Sequence, residues 1–126
     1  MRATRIAVAL TMVFAVNCYA SNWFEMNESI SIDMDSVVQS GRYVSVWVKR
    51  TFTPTTVPSG VPKDAYQALT RWRLDCVEHR YAYGAGTLLS QKGNVLHQTD
   101  GTPNAFHDAP PDTLADVMLN VFCPKQ

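Results

Sequence analysis

Between residues 42 and 52 the chain alternates almost without fault. Val44, Val46 and Val48 fall on one face, and Tyr43, Ser45, Trp47 and Lys49 on the other. That period of two, with its β-branched and aromatic content, is what a strand favours. The second face also carries aromatics, so it is more than a solvated surface. The rhythm returns over residues 66–76, with Ala68, Thr70, Trp72, Leu74 and Cys76 on one face and Leu69, Arg71, Arg73 and Asp75 on the other. After a turn at Val77-Glu78 a partner strand is predicted over residues 79–90, with Gly84 and Gly86 inside it. Glycines there predict a bulge or a close backbone approach. Gln91-Lys92-Gly93-Asn94 reads as a hairpin turn, and residues 95–99 as a short last strand. Upstream, residues 23–26 and 29–33 are short strand candidates. Residues 35–39 are predicted as one helical turn capped by Asp35, ahead of a Ser40-Gly41 turn.

Two segments break the alternation. Residues 53–62 hold Pro54, Pro58 and Pro62; proline cannot donate to a sheet ladder, so this is an extended, exposed loop. After Pro110-Pro111 the period changes to that of a helix. Asp112 is the predicted N-cap, Leu114, Val117, Met118, Val121 and Phe122 the apolar stripe, and Pro124 the stop. A small antiparallel sheet of about five or six strands with one C-terminal helix packed on it is an α+β architecture.

The first twenty residues stand apart from this pattern. Arg2 and Arg5 precede an apolar run over residues 6–16, and Cys18 and Ala20 place small residues before Ser21. This is the layout of a secretory signal peptide, with an apolar run too short to span a bilayer. The predicted division is a signal peptide over residues 1–20 and one domain over residues 21–126. Acylation of Cys18 is the competing outcome, disfavoured by Asn17 where a small residue is expected. Removal of Arg2 and Arg5 leaves nine basic against eleven acidic residues, a net charge of −2. Without a basic run the chain lacks the electrostatic footprint of a nucleic-acid binder. With no second long apolar segment it is not an integral membrane protein, and its destination is the periplasm or the cell surface.

Removal of the leader also takes Cys18, leaving Cys76 and Cys123. An even pair in an oxidising compartment reads as a disulfide. The loop it closes spans 48 residues, which the chain-entropy argument values at about 4 kcal/mol as an upper figure.

The ordered set Trp23, Ile32-Asp33-Met34-Asp35-Ser36, Gly41, Val44-Ser45-Val46-Trp47, Leu74-Asp75-Cys76, Arg80-Tyr81 and Cys123 resembles the surface-adhesin protein E-like family across the whole mature chain. The resemblance implies a small secreted antiparallel-sheet domain with a C-terminal helix and a cysteine pair. It also implies binding to host matrix or plasma proteins, although a fold does not by itself transfer a site.

Residues with chemistry of their own are few. His79, His97 and His107 have no ligand spacing with one another or with Asp100 and Asp108, and there is no Gly-x-Ser-x-Gly elbow. No catalytic residue, metal or cofactor is expected. Arg71 and Arg73, beside Leu69 on the strand face opposite Trp72, are a candidate binding strip, since arginine is enriched at interfaces. Tyr81 and Tyr83 share a face of the next strand and either complete the core or extend that strip. The expectation is a non-enzymatic, adhesin-like binding protein of the bacterial envelope, monomeric or dimeric, whose partner is a host matrix or envelope protein. The alternative is an inhibitor or immunity protein acting on a secreted hydrolase.

Overall fold

A computed structural model of the protein describes residues 22–124; the predicted leader lies outside them. The chain forms β1 (Trp23–Glu25), β2 (Ile30–Ser40), β3 (Tyr43–Thr51), β4 (Ala65–Asp75), β5 (Arg80–Ser90), β6 (Val95–Thr99), a two-residue β7 (His107–Asp108) and one helix, α1 (Leu114–Phe122). The sheet is an antiparallel meander in the order β1-β2-β3-β4-β5-β6, with β7 pairing the free half of β5. This is the α+β architecture that the alternation and the final helical period predict.

Val44, Val46 and Val48 lie beneath the helix, with Ile30 and Ile32 from β2 and Trp72 and Leu74 from β4. Ala109, Ala115, Met118 and Leu119 close the core from above. Leu74, Val46 and Met118 are wholly inaccessible to solvent. The described residues thus place their regular apolar positions on one sheet face and cover part of that face with α1.

The helix departs from expectation at its start and in its rotation. Asp112 is not the N-cap; it adopts a left-handed conformation at φ 64°, and the cap is Thr113, whose hydroxyl accepts from the Asp116 N–H at 3.3 Å. The carboxylate of Asp116 accepts from the Asp112 N–H at 3.0 Å, so the two donors at the helix entry are both engaged. The buried stripe is Ala115, Met118 and Leu119, whereas Val117 and Val121 are exposed. The cause is the crosslink. Cys123 must meet Cys76, and Ala115 and Leu119 precede it at intervals of four, so the face that ends in the cysteine faces the sheet.

The predicted disulfide joins Cys76 to Cys123 with a Cα–Cα separation of 5.5 Å. It staples the C-terminal end of α1 to the end of β4. A second tie holds the other end: His79 Nε2 donates to Asp116 Oδ1 at 2.7 Å. This bond, followed by that from the Asp112 N–H, holds the Asp116 carboxyl below the usual carboxylate range.

β2 is longer than its alternation predicted. The helical turn expected over residues 35–39 is instead strand carried across a bulge, with the register against β3 shifting between Asp33 and Val38. Side chains supply what the ladder loses there. Asp33 Oδ1 accepts from the Asp35 N–H at 3.1 Å. The Ser36 hydroxyl donates to the Asp33 carbonyl at 2.7 Å and accepts from the Trp47 N–H at 2.9 Å. The polar run that resembles a cap and turn is the stitching of a bulge.

Asp75 is the one buried charged residue of the described chain, at 1 % exposure. Arg42 clamps it with two bonds of 2.9 Å, Arg80 lies 3.6 Å away, and the N–H groups of Val77 and Glu78 donate to it at 3.1 and 3.2 Å. Burial alone would raise this carboxyl, but the Glu78 N–H, the Arg42 guanidinium and the Val77 N–H outweigh it and hold the group below its ordinary value. The clamp closes the two tight turns at this end of the sheet.

Candidate binding surface

The face away from the helix is built from the odd positions of β3 and their partners. Reading across the strands, Trp23 on β1 pairs with Asp33 on β2, Asp33 with Trp47 on β3, and Trp47 with Arg71 on β4. The next row runs from Ser31 through Lys49 and Leu69 to Thr87. The ammonium of Lys49 sits 4.3 Å from the centre of the Trp23 ring, within cation–π range. Trp23, Asp33, Trp47, Leu69, Thr87 and Leu89 line a shallow depression of about 360 Å³.

Only half of this face is open. Residues 100–106 cross the other half on their way from β6 to β7, and Phe106 stacks on Tyr43 with ring centres 5.6 Å apart. Between the sheet and this strap lies Arg73. Its guanidinium is 4.0 Å from the Tyr43 ring centre and 5.6 Å from that of Phe106. It donates to Asn104 Oδ1 at 2.6 Å and to the Pro103 carbonyl at 3.3 Å. Arg73 is thereby committed to holding the strap.

Arg71 is two residues away and differs in every respect: it is exposed, and among the described residues it makes no ion pair. The four members of the predicted strip are therefore not brought together. Arg71 and Arg73 lie on the open side of the sheet, one free and one pinned. Tyr81 and Tyr83 lie on the helix side, because Leu74 pairs with Tyr81 and Trp72 with Tyr83. There the Trp72 ring stacks on Tyr81 at 5.5 Å and meets Tyr83 edge-on at 4.8 Å.

Trp23, Asp33, Lys49 and Leu89 join the candidate surface only through register, which no single stretch of sequence displays. Phe106 could be found from sequence only as an aromatic stranded in an irregular segment after Gly101 and Pro103. The histidines are dispersed: His79 is tied to Asp116, His107 packs its ring 5.7 Å from that of Tyr81, and His97 is exposed on β6. Among the described residues no group of three His, Cys, Asp or Glu side chains gathers to hold a metal ion. What remains open is a flat surface of two tryptophans, with Arg71 exposed at its side, suited to contact with another macromolecule.

The model of the surface-adhesin protein E family matches residues 20–124. The chain belongs to that family. Of the solved structures, Haemophilus influenzae protein E (crystal form II) is similar in fold, with a TM-score of 0.57 over 82 % of this chain and 87 % of that one at 14 % identity. No curated protein matches the sequence. The adhesin-family likeness extends over all of the described residues, so the helix, the disulfide and the open face all fall within it. Among those residues no helix is long and apolar enough to cross a membrane.

Proposed function

We propose that this member of the surface-adhesin protein E family is an exported, non-enzymatic binding protein that engages a host matrix or envelope protein through the open half of its sheet. The observation that carries this reading is the row Trp23, Asp33, Trp47, Arg71, left uncovered while Tyr43 and Arg73, on the same side of the sheet, lie under the strap. Tryptophan and arginine dominate the energetics of protein interfaces, because each contributes a large, preorganised contact area. A flat sheet offers that area without needing to reorganise. Export follows from the signal peptide proposed for residues 1–20, and the Cys76–Cys123 bond suits an oxidising compartment.

Three measurements test the proposal. Intact mass of the secreted protein is expected to show loss of residues 1–20 with both remaining cysteines oxidised; a diacylglycerol on Cys18 would move the protein to a membrane surface. Binding to a panel of purified host matrix proteins is expected to fall at least about tenfold when Trp47 and Arg71 are both replaced by alanine. Undiminished binding by that variant would remove the open face from the account. Labelling of intact cells adds the location: protein that no impermeant reagent reaches is periplasmic, which favours inhibition of a secreted hydrolase over adhesion.

A further inference from the structure

The helix is too short to cover its own side of the sheet. Moving away from the crosslinked end, the rows on that side read Val44, Leu74, Tyr81, then Val46, Trp72, Tyr83, then Val48, Thr70, Gly86, and last Arg50, Ala68, Leu88. On β4 and β5 the side chains shrink abruptly after Trp72 and Tyr83, to Thr70, Ala68 and Gly86. No residue of α1 lines the space above them. The result is a pocket of about 350 Å³ with Thr70, Ala68 and Gly86 as its floor, Trp72, Tyr83 and Phe52 as aromatic walls, and Arg50 beside Ile30 and Val48.

Two backbone contacts place its rim against β5. Thr102 N–H donates to the Tyr83 carbonyl at 2.8 Å. Gly101 stands at φ 66° against β5, where any Cβ would collide with the Gly84 carbonyl oxygen. Such a concave, largely apolar site with a few polar groups, at the lower end of the usual ligand-pocket volume, is how proteins hold small molecules. The charge is the discriminating feature. Arg50 is exposed, and among the described residues no carboxylate lies within ion-pairing distance of it. Burial pushes the Tyr83 hydroxyl up, the Tyr81 hydroxyl adds to this, and only the Arg50 charge opposes it. The Tyr83 hydroxyl is therefore neutral at physiological pH and brings no negative charge to the site.

We propose that this pocket binds a small planar anion, an aromatic carboxylate of one or two rings, with its ring against Trp72 and Tyr83 and its carboxylate on Arg50. The site lies on the opposite side of the sheet from the Trp47 surface and is independent of the protein-binding reading. An uncharged aromatic could fill the same walls but would leave the guanidinium unpaired, so the pocket selects for the acid.

The test compares naphthoate with its neutral amide, naphthamide, by calorimetry and amide chemical-shift mapping on the intact secreted protein. Naphthoate is expected to bind with shifts centred on Thr70, Tyr83 and Gly86, and naphthamide about tenfold more weakly. Arg50→Gln is expected to bring the acid down to the level of the amide. Ala68→Leu, which fills the floor from a partly exposed position, is expected to abolish both without lowering the melting temperature. Trp47→Ala is expected to change neither. Equal affinities for acid and amide in the wild type, or loss of binding in Trp47→Ala, would overturn the proposal. A second, wholly apolar groove lies between β1, β2 and α1, lined by Phe24, Met34 and Val121; shifts centred there would overturn it too.

Discussion

The two faces of one sheet are made of adjacent residues on the same strands, yet they are finished in opposite ways. On the even face of β3, three valines disappear beneath a helix that is held at both ends, by the disulfide and by the His79–Asp116 bond. On the odd face Tyr43 is covered by a strap that carries no regular structure, while Trp47 is left half-buried beside Arg71. One face is closed by apolar burial and a covalent bond. The other is half closed by stacked rings and a guanidinium, and half left to solvent. The difference teaches where mutation should cost stability and where it should cost binding.

The largest effect is expected on the covered face. Leu74→Ala removes a wholly buried side chain from the centre of that core and is expected to lower stability by about 3–4 kcal/mol, read from the urea midpoint. Cys123→Ser follows at about 2–4 kcal/mol, since it frees the C-terminal end of α1 as well as lengthening the unfolded chain's options.

Asp75→Asn is expected to cost about 2–3 kcal/mol. That is below what breaking a fully buried pair costs, because Arg42 is partly exposed and water screens it. This variant has a pH signature of its own. The Asp75 carboxyl is depressed in the folded state, so its contribution is complete above the ordinary carboxyl value of 3.8 and is lost as pH falls through the folded value. An acid titration of stability should be flatter in Asp75→Asn than in the wild type; parallel acid limbs would show that the clamp does not act through this charge.

The effects expected on the open face are smaller. Trp47→Ala, from a half-buried site, is expected to cost about 1–2 kcal/mol. Arg71→Ala is expected to stay within about 0.5 kcal/mol of the wild type. Arg73→Ala separates the two arginines: it should release the strap, which accelerated amide exchange over residues 102–106 would reveal, whereas Arg71→Ala leaves that exchange unchanged. Equal exchange in the two variants would erase the distinction between a pinned and a free arginine.

Much of the covered face was legible because a strand's parity is local. Val44, Val46 and Val48 declare a buried face from their own spacing, and Trp72 and Leu74 do the same. The faces of different strands could not be matched without register. Four residues separate the paired Asp75 and Arg80, which sets even positions of β4 against odd positions of β5 and carries Tyr81 and Tyr83 to the core side. A turn one residue longer would have put them beside Arg71. The bulges at Asp33–Val38 and Thr70–Trp72 shift register again, and the first is held by a contact across strands, from the Trp47 N–H to the Ser36 hydroxyl. The rotation of α1 was hidden for a related reason: Val117 and Val121 fit the apolar period as well as Ala115 and Leu119 do, and the cysteine contact decides between them. The strap was invisible because its anchor, Arg73 between Tyr43 and Phe106, joins residues that no periodicity links.

The central claim is that the covered face holds the fold and the open face meets the partner. Its most direct test is to measure stability and matrix-protein binding on the same preparations of two variants, the Trp47→Ala, Arg71→Ala pair and Val46→Ala. The pair is expected to lose binding at least about tenfold while keeping all but about 2 kcal/mol of stability. Val46→Ala is expected to unfold earlier yet, wherever it remains folded, to bind as the wild type does. Full binding by the open-face pair, or a folded Val46→Ala protein that no longer binds, would contradict the account.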